Sequence, residues 1–433
     1  MTTINTPEAG TGSTERSVRE AAVTMATQVT ERLAADPAAA AHPDRVTDLV
    51  EALLEDHARA ALQKGTHALL NSQDESKLRR LVLDRVLGLG PLEELLAEPD
   101  VENIHINGAD DVIIDFGGGH RERRPAVVET DAELVDLVQR AAARAPGGER
   151  RFDAAAPILS MEMPGGERLS AIMPGVAVRP TVTIRRHPQH HLQLGDLVRS
   201  GTLDQTARNL LVAAVRARLN IIVSGATNAG KTTLLRALLG TLDGERIVTV
   251  EDSLELGLHR HMHDADVVAL QGRPPNVEGI GEVTPAELVR AALRMCPDRV
   301  IVGESRGPET LALLTAMSMG TDGSMSTLHA SSSQQVFTKI AAYCAQAPER
   351  LTASATATLT GASVHLVAHI DTTEAGERMV TSIREVVGAE GEQVLSNELY
   401  VRSGEPSGEI VCAPTGDIGQ RLDRAGYTAR GWT

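Results

Sequence analysis

Residues 225–232 read GATNAGKT, a complete G-x-x-x-x-G-K-S/T loop. Before it, residues 219–224 (LNIIVS) form an apolar run sized for one buried strand. After it, residues 233–239 are helix formers without proline. A strand–loop–helix unit is the context such a loop requires. Gly225 and Gly230 let the backbone fold tightly, so that successive N–H groups and the helix N-terminus converge on phosphate oxygens. The contacts expected of it come from Gly225, Ala226, Thr227, Asn228, Ala229, Gly230, Lys231, Thr232 and Thr233. Lys231 would reach the β- and γ-phosphates, and the Thr232 hydroxyl would hold Mg2+. Lysine occurs at only four positions (64, 77, 231 and 339) against 38 arginines, so an ammonium at this place stands out from the background. The loop implies a nucleoside triphosphate site.

The rest of the composition sets bounds. A chain of 433 residues holds two or three domains. Aromatic residues make up 2%, so its cores must be aliphatic. A net charge of −16 with so few stacking side chains speaks against direct nucleic-acid binding. Cys296, Cys344 and Cys412 lack metal-ligand spacing and are odd in number, which points to a reducing compartment. No apolar run reaches the roughly 18 residues of a membrane span, and the N-terminus shows no basic-then-apolar signal. The expectation is a cytoplasmic protein that meets a membrane through partners.

The texture of the chain suggests six segments. Residues 1–16 read as a disordered tail, and 17–88 as a helical region. There Val46, Leu49, Val50, Leu53 and Leu54 form one apolar stripe, and Leu78, Leu81, Val82 and Val86 form another. Residues 89–187 read as an α+β domain, with Ile104/Ile106 and Val112/Ile114/Phe116 alternating on either side of the Asn107-Gly108 turn signal. A helix near 132–144 and a strand at 181–186 complete it. Residues 188–200, at the tract HPQHH, read as a linker. From 201 to 375 strands and helices alternate, as in a doubly wound parallel sheet. The weaker, more polar pattern of 376–433 reads as a small appendage.

Three further segments narrow the chemistry. IVTVEDSLEL (247–256) is a strand ending in Glu251 and Asp252, placed to hold a metal-bound water beside a phosphate loop. RMCPDRVIVGESRG (294–307) is a second strand, ending in Glu304, a carboxylate able to orient an attacking water. Gly303 stands where a strand-end aspartate is usual. GTDGSMSTLHAS (320–331) brings His329 to a strand end, where an imidazole could contact a γ-phosphate.

In this order, with GPLEELLAEPDVENIHING and GGERLSAIMPGVAVRPTVTIRR upstream, the segments closely resemble the type II/type IV secretion ATPase superfamily. They are similar in particular to its tight-adherence (Flp) pilus and conjugal-transfer branch. The resemblance runs from about Gly90 to Gly388. It implies a RecA-like P-loop ATPase domain preceded by a smaller α+β, PAS-like domain and an N-terminal helical region, assembled as a homo-hexamer. It also implies ATP and Mg2+ as ligands, with Lys231 and Thr232 at phosphate and metal. Glu251 assists the metal, Glu304 positions water, and His329 senses the γ-phosphate. Arg185 and Arg186 act as arginine fingers from the N-terminal domain, and Arg168 joins them. The implied partner is an integral membrane platform protein of a pilus or secretion system, met at the inner face of the cytoplasmic membrane. The chain departs from the family pattern at Thr321, Cys296, Ser331, Ser160 and Glu162, and keeps Lys231, Glu251, Glu304 and His329. Two other readings stay open on the residues alone. One is a non-hydrolysing, nucleotide-gated scaffold, and the other is a RecA-like nucleic-acid translocase.

Overall fold

The structure, a computed structural model, describes residues 11–35, 43–63, 72–86, 90, 92–98, 100–116, 120–143, 150–163, 165–186, 192–262, 264–273, 275, 279–373, 376–403 and 407–427. The chain divides into two compact units, residues 1–188 and 189–433.

The first unit begins with three helices, α1 (Thr11–Ala35), α2 (Pro43–Gln63) and α3 (Ser72–Val86). The two stripes read from the sequence close against a third on α1, formed by Val18, Ala22, Met25, Val29 and Leu33, and together they make one aliphatic core. Helix α1 starts at Thr11, inside the segment expected to be a disordered tail; residues 1–10 lie outside the described residues. Then come α4 (Leu92–Leu96), β1 (Asn103–Asn107), β2 (Val112–Asp115), β3 (Arg121–Arg124), α5 (Asp131–Ala143), β4 (Ile158–Glu162), β5 (Arg168–Ile172) and β6 (Thr181–Arg185). The six strands form one antiparallel sheet in the order β3-β2-β1-β6-β5-β4. Period-two alternation sets the register. Ile104 pairs with Ile114 and Ile106 with Val112, so these four side chains share one buried face, covered by Leu134, Leu137 and Val138 of α5.

The second unit opens with α6 (Leu194–Arg199) and α7 (Gln205–Arg216). The tract HPQHH lies outside the described residues. The rest of the segment expected as linker is not one, because α6 buries Leu194 and Leu197 in the core of the second unit. There follow β7 (Ile221–Gly225), α8 (Lys231–Leu239), β8 (Arg246–Glu251), α9 (Leu258–His261), β9 (Asp266–Gln271), α10 (Pro285–Ala292), β10 (Arg299–Ser305), α11 (Glu309–Ser318), β11 (Met325–His329), α12 (Gln335–Cys344), α13 (Ala353–Ser363) and β12 (Leu366–Thr372). The chain closes with β13 (Arg378–Glu390), β14 (Gln393–Val401), β15 (Glu409–Ile410) and α14 (Gly416–Arg424). All nine strands belong to one sheet, in the order β15-β14-β13-β12-β7-β11-β10-β8-β9. The six from β12 to β9 run parallel, and β13, β14 and β15 extend the sheet antiparallel. The fold is α/β with a mixed sheet and helices on both faces.

The last three strands correct the reading of 376–433 as an appendage. Val380, Ile383, Leu399 and Tyr400 are buried in the same core as the α7 and α8 leucines. The polar texture has a local cause. On the other face Arg384 pairs with Glu398, and Ser382 donates to Glu398 while accepting from the Ser333 hydroxyl, so these positions are satisfied laterally while lowering the apparent hydrophobicity. One buried cation braces the lower end of the parallel strands. Arg299 is 1% exposed. It donates to both carboxylate oxygens of Glu245, at 2.6 and 2.9 Å, and to the carbonyls of Val215 and Gly323. A guanidinium so deep is tolerable because its charge is paired and each of its nitrogens is engaged.

Candidate nucleotide site

Strand β7 is buried throughout, and the chain leaves it at Gly225 to form an exposed arch at Ala226, Thr227 and Asn228. The arch re-enters a helix at Gly230, whose φ of +100° is a left-handed value that a side chain would strain. Gly230 is the N-cap of α8 and offers no side chain to the first-turn N–H groups, which leaves them for a ligand. Thr232 and Thr233 sit half-buried in that first turn.

Lys231 folds back beneath the arch. Its Nζ donates to the Ala226 carbonyl at 2.8 Å and lies 3.1 Å from Nδ1 of His329. The parallel register explains the meeting, because His329 is paired with Gly225 at the ends of β11 and β7. His329 Nε2 stands 2.8 Å from Glu304 Oε1, on the next strand over. Burial holds the imidazole below its ordinary pKa, the Lys231 ammonium adds to that, and the Glu304 carboxylate opposes both. A neutral ring carrying its proton on Nε2 satisfies the two contacts at once, accepting from Lys231 and donating to Glu304. Three residues chosen from three separate motifs thus form one hydrogen-bonded chain, Lys231–His329–Glu304.

Glu251 occupies a different setting. It is 5% exposed, and its Oε1 accepts the Leu256 N–H at 2.8 Å. Burial pushes its pKa up to about 8, partly countered by the Leu256 N–H. Strands β8 and β10 pair Val250 with Val302, so Glu251 and Gly303 are the next neighbours in line. A Cβ at position 303 would sit 2.8 Å from Cγ of Glu251. The missing strand-end aspartate therefore has a physical reason. The space beside position 303 is already filled by a carboxylate from the neighbouring strand.

Sequence reasoning passed over Arg306. Its guanidinium pairs with Asp252 and lies 3.9 Å from Glu304 Oε2, bridging the two acidic strand ends. The tripeptide Glu304-Ser305-Arg306 carried the signal, a cation one strand repeat beyond the acid.

The arginines expected as fingers belong to the first unit. Arg168 and Arg185 are paired across β5 and β6. Arg186 donates to the Glu98 carbonyl at 2.6 Å. The structure brings Arg168 and Arg185 side by side and ties Arg186 to the chain before β1.

The donors fit Mg2+ in kind, since Thr232 offers a hydroxyl and Glu251 a carboxylate, both hard oxygens. Among the described residues no group of three His, Cys, Asp or Glu could cage a metal. No helix among the described residues is long and apolar enough to cross a membrane.

Comparison with known proteins gives a consistent picture. The family described as "Type II/IV secretion system protein" matches residues 86–396. A protein of Mycobacterium tuberculosis (strain H37Rv), provisionally named for conjugal transfer, is 38% identical over 320 residues, covering 72% of this chain and 88% of that one. The type IV secretion system protein PtlH of Bordetella pertussis is 36% identical over 220 residues, 44% of this chain and 62% of that one. Among solved structures, the VirB11 ATPase of Brucella suis covers 68% of this chain and 95% of its own at 25% identity, with a TM-score of 0.36. DotB of Legionella pneumophila covers 70% and 80% at 19% identity, with a TM-score of 0.49. From the motifs, their assembly around one loop and a family match over most of its length, the chain belongs to the type II/IV secretion system protein family.

Proposed function

We propose that this chain is an ATP hydrolase that works as a hexameric motor at the inner face of the cytoplasmic membrane. It drives assembly of a pilus or of a secretion or conjugal-transfer apparatus, in the manner of the tight-adherence branch. The observation that carries the enzymatic part is the chain Lys231–His329–Glu304, which joins the phosphate loop to a water-orienting acid through one neutral imidazole.

Each member has a task that follows from its contacts. Lys231 is held by the Ala226 carbonyl and by His329, both neutral acceptors, so phosphate oxygens outcompete them for the ammonium. Once Lys231 turns to phosphate, His329 Nδ1 is released toward the loop while Nε2 still orients Glu304. Glu304 accepts the proton of the attacking water. Thr232 and Glu251 would hold Mg2+, whose chemistry is to neutralise charge on the phosphate oxygens. Arg185, Arg186 and Arg168, on a smaller PAS-like domain spanning 89–187, would close onto the nucleotide bound by the ATPase domain that the second unit forms. An integral membrane platform protein would receive the motion.

The test is steady-state phosphate release by the full-length chain with MgATP. Turnover that is lost in Glu304→Gln while ATP still binds supports the reading. A wild-type chain that binds ATP without turnover would instead be a nucleotide-gated scaffold. Stimulation by DNA or RNA would favour a translocase.

A further inference from the structure

Building on the nucleotide reading above, we propose that Arg378 is a second nucleotide-binding cation of the loop. It is supplied from the flank opposite His329 and Glu304, and it contacts the part of the nucleotide that ATP and ADP share.

Strand β7 lies between β11 and β12 in the sheet. His329 and Glu304, assigned above to the γ-phosphate and the water, stand on the β11 side. The β12 side approaches the loop just as closely. Ile370 pairs with Gly225, and its carbonyl oxygen lies 2.2 Å from where a Cβ at 225 would be, so only glycine permits this contact of main chain on main chain. The chain then turns and starts β13 at Arg378, opposite Thr372. Val380, two residues further along β13, is buried in one core with Leu234 and Leu238 of α8. Arg378 therefore shares the face that carries α8, at the end nearest the loop. Its Cδ lies 3.3 Å and its Nε 4.0 Å from the position of a Cβ on Gly230. The aliphatic stem crosses the last glycine of the loop and delivers the guanidinium beside it.

The electrostatics point to an anion. Gly230 caps a helix N-terminus, which carries a partial positive charge, and the Lys231 ammonium follows directly. Arg378 is exposed and, among the described residues, has no hydrogen-bond or ion-pair partner. Arg306, by contrast, is matched with Asp252. Placing an unmatched guanidinium against two other positive features raises the energy of the nucleotide-free chain. The cost is offset when an anion binds between them. Because Arg378 stands on the flank away from Glu304 and His329, that anion is the diphosphate end common to substrate and product, and its contribution is uniform binding.

The experiment measures MgATP and MgADP affinity separately for the full-length wild type, Arg378→Ala and Arg378→Lys, together with thermal melting of each without nucleotide. The expected result is a loss of about tenfold for both nucleotides in Arg378→Ala, partial recovery in Arg378→Lys, and a fall in kcat/KM that arises in KM. The nucleotide-free melting temperature should hold or rise. Unchanged affinity for both nucleotides in Arg378→Ala would overturn the assignment. So would a loss confined to ATP, which places the residue at the γ-phosphate. A lowered melting temperature that accounts for the binding loss would make Arg378 structural. A wild type that binds neither nucleotide would overturn the nucleotide reading itself, a result distinct from any of these.

Discussion

Glu251 and Glu304 end neighbouring parallel strands of one sheet and differ in almost everything else. Glu304 is open to solvent on one side and lies between His329 and Arg306, with partners on both carboxylate oxygens. Glu251 is buried, with the Leu256 N–H at Oε1 and Glu255 and Arg236 as its charged neighbours, and burial pushes its pKa up to about 8. Burial, rather than residue type, separates the two roles. Under the proposed function the exposed, partnered acid is the one within reach of water, while burial disfavours the charged form of the other until a cation stands beside it.

The sharpest way to break this contrast is to neutralise the exposed acid. Glu304→Gln keeps the shape and the acceptor for His329 and removes the base. Turnover should fall about 10²- to 10⁴-fold with ATP affinity retained; wild-type turnover would transfer the role to Glu251. Lys231→Ala comes next. It removes the cation that both the arch and His329 hold, and nucleotide binding should weaken by about 3 kcal/mol, roughly a hundredfold, in calorimetry. Undiminished binding would detach the loop from the function.

The buried acid makes a prediction in pH. Its folded pKa lies above the unfolded value, so the nucleotide-free chain binds this proton more tightly than the unfolded chain does. The contribution is complete below about pH 4.5 and declines as pH rises toward 8, at roughly 1 kcal/mol per pH unit. Glu251→Gln should remove that slope, so that its melting temperature gains on the wild type as the buffer is raised from 5 to 8. Parallel melting curves would show that Glu251 is solvated after all. The smallest effect is expected at Asp252→Asn. Freed from Asp252, Arg306 should tighten on Glu304 and lower kcat about threefold. An unaltered kcat would reduce Arg306–Asp252 to a surface pair.

How far the sequence disclosed this arrangement depended on where the controlling contacts lie. The loop and the strand ends carrying Glu251, Glu304 and His329 were legible because each motif is contiguous, and parallel pairing brings such ends together at one edge of a sheet. The hairpin strands β1 and β2 were legible from alternation around Asn107-Gly108. The reason for Gly303 was not, since it is a contact with a side chain on another strand. Nor were β13 and β14, because Arg384, Glu398 and Ser382 satisfy one another across strands and mimic a solvent-facing segment. Arg378 is far in sequence from the glycine it covers and belongs to no motif.

The outer margin of the nine-stranded sheet carries one more implication. Strand β15 pairs only with Tyr400 and Val401, so among the described residues most of β14 has no strand on its far side. A bare strand edge is a template on which a second chain can polymerise. Here the hairpin bears Glu390 and Glu392 at its turn, within a few residues of that margin, and like charges on two approaching copies repel. Acidic residues that do nothing for catalysis or for the core thus act as a guard against aggregation. Neutralising them would show first as precipitation on storage of concentrated protein, with activity and melting temperature still intact.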